Sequence, residues 1–132
     1  MSKLRVATLG LTAIVMLAWA VPAFAHQSGT TVTVSAGKPT PFSFVLSTKT
    51  FKHGTVTFKI KNVGVGLPHT FKVCTSPKGG SANSCAGKVT PNILPGKSAT
   101  LTVTFAKAGS YEYLCTTPAH AAAGMKGVLK VT

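Results

Sequence analysis

Acidic side chains are almost absent from this chain of 132 residues: Glu112 is the only one, against 14 lysine and arginine residues. One carboxylate cannot supply the oxygen ligands that Ca²⁺ or Mg²⁺ requires. The chain also has only three cysteines, too few for the thiolates of an iron–sulfur cluster. These shortages exclude two large classes of metal site and leave histidine, cysteine and methionine as candidate ligands.

Long apolar runs are confined to the N-terminus. Two basic residues precede an almost wholly apolar stretch at 6–21, and Ala23-Phe24-Ala25 ends in the small-x-small pattern of a cleavage site. We therefore expect a signal peptide at 1–25, cleaved after Ala25, and a secreted or periplasmic domain at 26–132. The alternative is an uncleaved membrane anchor, but the run of about 16 residues is shorter than the roughly 20 that span a bilayer.

Arginine is missing after the predicted signal peptide, where all twelve basic residues are lysine. Such a surface attracts acidic protein faces or anionic membrane surfaces. Nucleic acid is the alternative polyanion, but the lysines are scattered singly and no arginine remains to contact phosphate or guanine. We expect no nucleic-acid binding.

Short segments with alternating apolar and polar residues recur between Gly, Pro, Asn and Ser. They lie at 30–34, 42–46, 55–60, 69–74, 99–105, 110–115 and 127–131. A period of two, with many Val, Thr and Phe residues, is typical of β-strands. The pattern predicts one all-β domain, an antiparallel Greek-key β-sandwich of about seven to eight strands.

The three cysteines cannot all pair within one chain. Cys74 and Cys85 flank a long loop, and we predict a disulfide between them because an exported protein folds where thiols oxidise. The alternative is that one of them binds a metal. Cys115 is then left over, either as a buried inert thiol or as a ligand.

Cys115 is followed at equal spacing by His120 and Met125. A thiolate, an imidazole and a thioether form a soft ligand set, whereas structural zinc sites are built from Cys and His. Two histidines and one cysteine in a plane, with a weak axial methionine, are the arrangement of blue copper. The spacing thus predicts a copper site that needs a second histidine.

The candidates for this second histidine are His26, His53 and His69. His69 is favoured because it follows the turn-forming stretch 64–68 and is expected to open a strand. His53 lies beside a glycine in a lysine-rich turn, which is typical of a solvated residue. His26 would be the mature N-terminus, where an amine and a ring can grip copper together, but no other histidine is free to complete that site.

The chain resembles the cupredoxin family, which includes plastocyanins, azurins and related bacterial blue copper proteins. The resemblance is carried by NVGVGLPHTF at 62–71, GSYEYLCTTPAH at 109–120 and GMKG at 124–127. It implies one copper ion held by His69, Cys115, His120 and Met125. It also implies one-electron transfer between redox proteins. The lysine-rich surface favours partners with an acidic docking face, and we expect a monomer without catalytic activity.

Two residues depart from the family pattern. Ala119 stands where many members have glycine, and Thr70 stands where many have asparagine. By resemblance, the residue at position 70 connects to the cysteine-bearing loop and stiffens the site. The ligand set itself is unchanged.

The resemblance leaves other roles open. Copper enzymes of related architecture need further histidine-rich sites, and this chain has neither a His-x-His nor a His-Cys-His pair. Copper storage or delivery is the other alternative, but such proteins use exposed Met- and His-rich ligands. The alanines at 121–123 are interpreted as part of an apolar docking patch around His120 or as a helical turn, and Tyr111 and Tyr113 as core residues rather than electron relays.

Overall fold

Two β-sheets form the framework in the computed structural model, which describes residues 29–75 and 85–132. The nine strands of these ranges are β1 (Thr30–Ala36), β2 (Phe44–Leu46), β3 (Thr50–Phe51), β4 (Gly54–Asn62), β5 (Lys72–Cys74), β6 (Gly87–Val89), β7 (Ser98–Phe105), β8 (Gly109–Leu114) and β9 (Lys126–Val131). One sheet has the order β2-β1-β4-β7 and the other the order β3-β9-β8-β5-β6. The predicted all-β Greek-key sandwich is confirmed, with nine strands.

Alternating burial explains why the sheets face each other. In β4, Val56, Phe58 and Ile60 are buried, whereas the residues between them are more exposed. β7 alternates in the same way. Because successive side chains of a strand point to opposite faces, each sheet contributes one apolar face to a shared core.

The pairing of the strands differs from the antiparallel arrangement that the alternation predicted. β1 pairs with β4 in parallel, from Thr30 opposite Val56 to Ala36 opposite Asn62, and β3 pairs with β9 in parallel. Both sheets are therefore mixed. Local alternation sets which face of a strand is buried but does not set the direction of its neighbour, so that part of the prediction was wrong.

Several strand boundaries also differ from expectation. β3 and β6 were missed, because they have two and three residues and all of β6 is exposed, which leaves no alternation to detect. The strand predicted at 69–74 begins only at Lys72. The predicted disulfide between Cys74 and Cys85 is present, and it packs with Leu114 and Ala121 in a small buried cluster.

The chain elements that carry the candidate ligands meet at one end of the sandwich. β8 ends directly before Cys115, β9 begins directly after Met125, and the turn after β4 leads to His69. The predicted signal peptide lies outside the described residues. Within the described ranges, no helix has the length and apolar character needed to cross a membrane.

Candidate metal centre

The backbone around His69 is held by two hydrogen bonds to Ile93. His69 N–H donates to the Ile93 carbonyl (3.1 Å), and Ile93 N–H donates to the His69 carbonyl (2.7 Å). His69 therefore lies in an isolated β-bridge rather than at the start of a strand. It is 1% exposed, so its ring has little freedom to move.

Asn62 fixes the turn that precedes His69, a role that the sequence pattern did not reveal. Its buried side-chain amide donates to the carbonyls of Leu67 (2.9 Å) and Ile93 (2.8 Å) and accepts from Gly64 N–H (3.0 Å). The Leu67 carbonyl and Gly64 N–H lie outside the strands, so the amide side chain supplies the partners that a sheet ladder would give, and at Ile93 it adds a second donor to a carbonyl that already accepts from His69 N–H. Asparagine in a turn is common, so the residue type alone gives no signal of this role.

The loop from Cys115 to Met125 is closed at both ends by strand pairing. Leu114 at the end of β8 lies opposite Lys126 at the start of β9. Within the loop, Cys115 N–H donates to the Met125 carbonyl and Met125 N–H donates to the His120 carbonyl, both at 3.0 Å. The three residues spaced evenly in the sequence are thereby held close together.

Ala119 has a backbone φ of 67°, in the left-handed region. A side chain in this region costs free energy that glycine avoids. This gives a physical reason for the glycine that many cupredoxins carry here. The conformation precedes His120 directly and so helps to set the direction of its ring.

Three donor atoms converge. The Nδ1 atoms of His69 and His120 are 3.3 Å apart, and His120 Nδ1 lies 3.6 Å from Cys115 Sγ. The three donor atoms all lie within 4.8 Å of one another, and all three residues are buried. The structure therefore brings together three of the four residues expected from the sequence to bind metal.

This spacing fits a single metal ion. Bonds of about 2.0 Å to nitrogen and 2.3 Å to sulfur, the lengths seen with zinc, place trigonal ligands about 3.5 Å (N to N) and about 3.7 Å (N to S) apart. The observed 3.3 Å and 3.6 Å are close to these values. Two imidazoles and one thiolate at this separation are also the ligand types that copper prefers.

Met125 is fully buried and forms part of the main core. Its backbone closes the loop on Cys115 and His120. Its role as the fourth, axial ligand remains a prediction from the sequence.

The cysteine sulfur lies among hydrogen-bond donors. Thr70 N–H points to Cys115 Sγ at 3.5 Å, and the Thr70 hydroxyl lies 3.7 Å from the same sulfur. The Thr70 oxygen also accepts a hydrogen bond from Thr116 N–H (2.7 Å). A threonine thus makes the connection to the cysteine-bearing loop that the resemblance assigned to this position.

Both histidines favour their neutral form. Burial lowers the pKa of His69 and that of His120, and the nearby His120 lowers the pKa of His69 further. A neutral imidazole has the lone pair that metal binding requires.

An aromatic ring packs against His120. The Phe42 ring lies 5.0 Å from the His120 ring, edge to face. Phe42 lies outside every ligand motif and was predicted only as part of a strand, so its position against a ligand appears only in the structure. The contact limits rotation of the His120 ring.

The remaining candidates lie elsewhere. His53 is exposed, and its Nδ1 lies 3.1 Å from the Thr132 carbonyl, which confirms it as a surface residue. His26 is outside the described residues. Tyr111 and Tyr113 are buried, and the Tyr111 hydroxyl donates to the Lys107 carbonyl (2.7 Å), which confirms both tyrosines as core residues.

A two-sheet sandwich with two histidines and one cysteine converging at one end, two of them on the loop between its last strands, defines the cupredoxin class of copper proteins. Residues 28–132 match the family model for copper-binding proteins of the plastocyanin/azurin family. The chain therefore belongs to the plastocyanin/azurin family, and copper is its metal.

Solved structures agree with this assignment. Reduced auracyanin from the photosynthetic bacterium Roseiflexus castenholzii is 25% identical, with a TM-score of 0.62 over 79% of this chain and 98% of that chain. Reduced rusticyanin is 31% identical, with a TM-score of 0.53 over 80% of this chain and 81% of that chain. Auracyanin B, 24% identical with a TM-score of 0.64 over 78% of this chain and 88% of its own, supports the fold. No curated protein sequence gives a significant match.

Proposed function

We propose that the protein is an exported, monomeric one-electron carrier. In this proposal His69, Cys115 and His120 would hold one copper ion, with Met125 as a weaker fourth ligand. The observation that carries the proposal is the spacing of three buried donor atoms, 3.3 Å and 3.6 Å apart, on segments that backbone hydrogen bonds hold in place. Copper bound by these residues would supply a Cu(I)/Cu(II) couple for one-electron transfer.

The chain segments that carry the candidate ligands are held in place, which suits this role. Cu(I) and Cu(II) favour different ligand geometries, so a carrier works fastest when its ligands move little. The β-bridge at His69, the Asn62 side chain and the strand pairing that closes the 115–125 loop all restrict movement. Thr70 N–H, directed at Cys115 Sγ, stabilises negative charge on the sulfur.

Electrons would enter and leave at His120. This residue is 6% exposed, and Pro118, Ala119, Ala122 and Ala123 beside it are exposed. Small apolar side chains let a partner approach closely without a large desolvation cost, as suits the small interfaces of transient redox complexes. We propose this surface as the docking patch.

The partner we propose is a redox protein with an acidic docking face. Exposed Lys38 and Lys126 lie at the metal end of the sandwich, next to the chain segments of His69 and Met125. Such charges accelerate encounter with an acidic surface. The rate of electron transfer should therefore fall as salt screens them. An anionic membrane surface is a further place for peripheral contact.

Export is tested by the mature N-terminus. We expect the protein recovered outside the cytoplasm to begin at His26, as measured by mass spectrometry. A full-length chain retained in the membrane fraction would contradict cleavage after Ala25.

The role of carrier is tested by voltammetry of the copper-loaded protein, with a Cu(I) chelator present in a parallel sample. A carrier should show a reversible one-electron wave and keep its copper through repeated cycles. Loss of copper to the chelator on reduction would favour the alternative of copper storage or delivery. Catalytic turnover of nitrite or oxygen would show that the protein is an enzyme and would contradict the proposed role of electron carrier.

A further inference from the structure

A cavity of about 200 Å³ opens beside His69. Its walls include Pro39, Pro41, Val65 and Leu67, and Lys38 lies at its rim. A water molecule occupies about 30 Å³ in the liquid, so the cavity has room for a group several times larger.

The second ring nitrogen of His69 lies on the side of this cavity. A Cβ atom at Gly37, which also lines the cavity, would lie 3.0 Å from His69 Nε2 and 2.8 Å from Gly64 Cα. The chain can approach the ring this closely because Gly37 lacks a side chain and has a φ of 84°. Gly37 therefore lies next to His69 Nε2 in the wall of the cavity.

No hydrogen bond joins His69 Nε2 to a protein acceptor among residues 29–75 and 85–132, and Nε2 is not one of the fully enclosed polar atoms without a partner, so an acceptor can reach it from the cavity. When Nδ1 binds a metal, Nε2 must carry the proton. Histidine ligands almost always donate this second N–H to a carboxylate, a backbone carbonyl or water. An acceptor must therefore be found in the cavity.

Charge favours an anionic acceptor. Lys38 supplies a positive charge at the rim, and the one carboxylate of the chain, Glu112, lies on β8 and does not line the cavity. No internal acid is therefore placed to pair with this lysine or with the imidazole N–H. The other side chains of the lining, those of Pro39, Pro41, Val65 and Leu67, are apolar.

We propose that this cavity is a binding site for a small monocarboxylate. One carboxylate oxygen accepts the hydrogen bond from His69 Nε2, and the carboxylate pairs with the Lys38 ammonium group. The short alkyl group packs against Pro39, Pro41 and Leu67. Because the anion lies close to the metal, it stabilises the more positive Cu(II) state.

The proposal rests on the metal-site assignment of His69 and not on the role of electron carrier. Nitrogen NMR of ¹⁵N-labelled Cu(I) protein tests both parts separately. The ¹⁵N shift of His69 Nδ1 first reports whether this atom binds the metal. If it does, the Nε2 proton of the same ring then reports the carboxylate site alone.

The probe is acetate, with chloride replaced stepwise by acetate at constant ionic strength and constant pH. We expect saturable shifts of the His69 Nε2 proton and of the Gly37 and Gly64 amides. Acetamide, a neutral molecule of the same shape, should produce no saturable shift. Acetate should also lower the midpoint potential of the copper couple, since preferential binding to Cu(II) and the shift in potential are linked.

Two charge-matched variants separate the site from general electrostatics. Lys38→Met should weaken acetate binding roughly two- to fivefold, the range expected of an exposed ion pair. Lys107→Met removes the same charge from an exposed position elsewhere and should leave the affinity unchanged. Absence of saturation, equal responses to acetate and acetamide, or equal affinities in the two variants would overturn the proposal and leave water as the acceptor.

Discussion

The side-chain oxygen of Thr70 lies 2.7 Å from the backbone nitrogen of Thr116 and 2.7 Å from the Thr116 hydroxyl oxygen. Thr70 follows His69 in the chain, and Thr116 follows Cys115. The contact therefore ties together the two segments that carry the first histidine and the cysteine. It joins them where the chain is outside the strand ladders, so side chains replace sheet hydrogen bonds.

Thr70→Val should lower the free energy of unfolding by about 1–2 kcal/mol, because Thr116 N–H loses its acceptor. The blue colour should remain, since Thr70 N–H still points to Cys115 Sγ. Urea unfolding and absorption spectra check both points. Thr116→Val is the matched control: it removes one hydroxyl but keeps the N–H contact, and should cost less. Equal losses in the two variants would contradict this role for Thr70.

Asn62→Ala should lower the free energy of unfolding more than Thr70→Val does. It removes three hydrogen bonds to Leu67, Ile93 and Gly64, each of which contributes about 0.5–1.5 kcal/mol. Because these bonds hold the turn before His69, copper should also dissociate faster. Asn92, which is exposed, offers the control Asn92→Ala. A copper off-rate for Asn62→Ala equal to that of the control would show that the turn does not position His69.

Ala119→Gly should leave the protein as stable as before or stabilise it by up to about 1 kcal/mol. Glycine removes the cost of a side chain at φ 67° but adds entropy to the unfolded chain. Thermal unfolding of the copper-loaded protein measures the balance. The matched change Ala122→Gly lacks the positive φ and should destabilise by about 0.5–1 kcal/mol. If Ala119→Gly lowered the free energy of unfolding as much as Ala122→Gly does, the strain assigned to Ala119 would be contradicted.

The metal-free protein should lose stability as pH falls below about 6.5. Burial holds the pKa values of His69 and His120 below this ordinary value. Between the unfolded and folded pKa values, the unfolded chain therefore binds more protons, and the free energy of unfolding decreases toward acid. Above about pH 7.5 both states are neutral at these histidines, and stability should be flat with respect to them.

Urea unfolding of metal-free protein between pH 8 and pH 5 measures this dependence. Stability that rises toward acid would contradict the burial of neutral imidazoles at the site.

The long strands could be predicted from the sequence because burial of one face imposes alternation. β1, β4, β7, β8 and β9 all show it. The parallel pairing of β1 with β4 could not be predicted, since it depends on contacts between distant segments. β6 escaped detection because none of its side chains is buried.

At the site, the even spacing of Cys115, His120 and Met125 and the odd cysteine count were sufficient to predict a metal-binding loop. The structure brings two of these three together with His69. Three features that position the candidate ligands could not be predicted from the sequence. They are the Asn62 amide in a turn, the Phe42 ring against His120 and the left-handed backbone of Ala119. Such roles depend on where a side chain lies, and each of these residue types is common elsewhere.

Cys115 would bind copper as a thiolate together with His69 and His120. This binding is tested most directly by absorption and EPR spectra of the copper-loaded protein and of Cys115→Ser. We expect an intense blue thiolate-to-Cu(II) charge-transfer band that disappears in Cys115→Ser, while circular dichroism shows that the variant keeps its fold. A wild-type Cu(II) protein without the band, or a Cys115→Ser variant that retains it, would show that Cys115 is not a copper ligand.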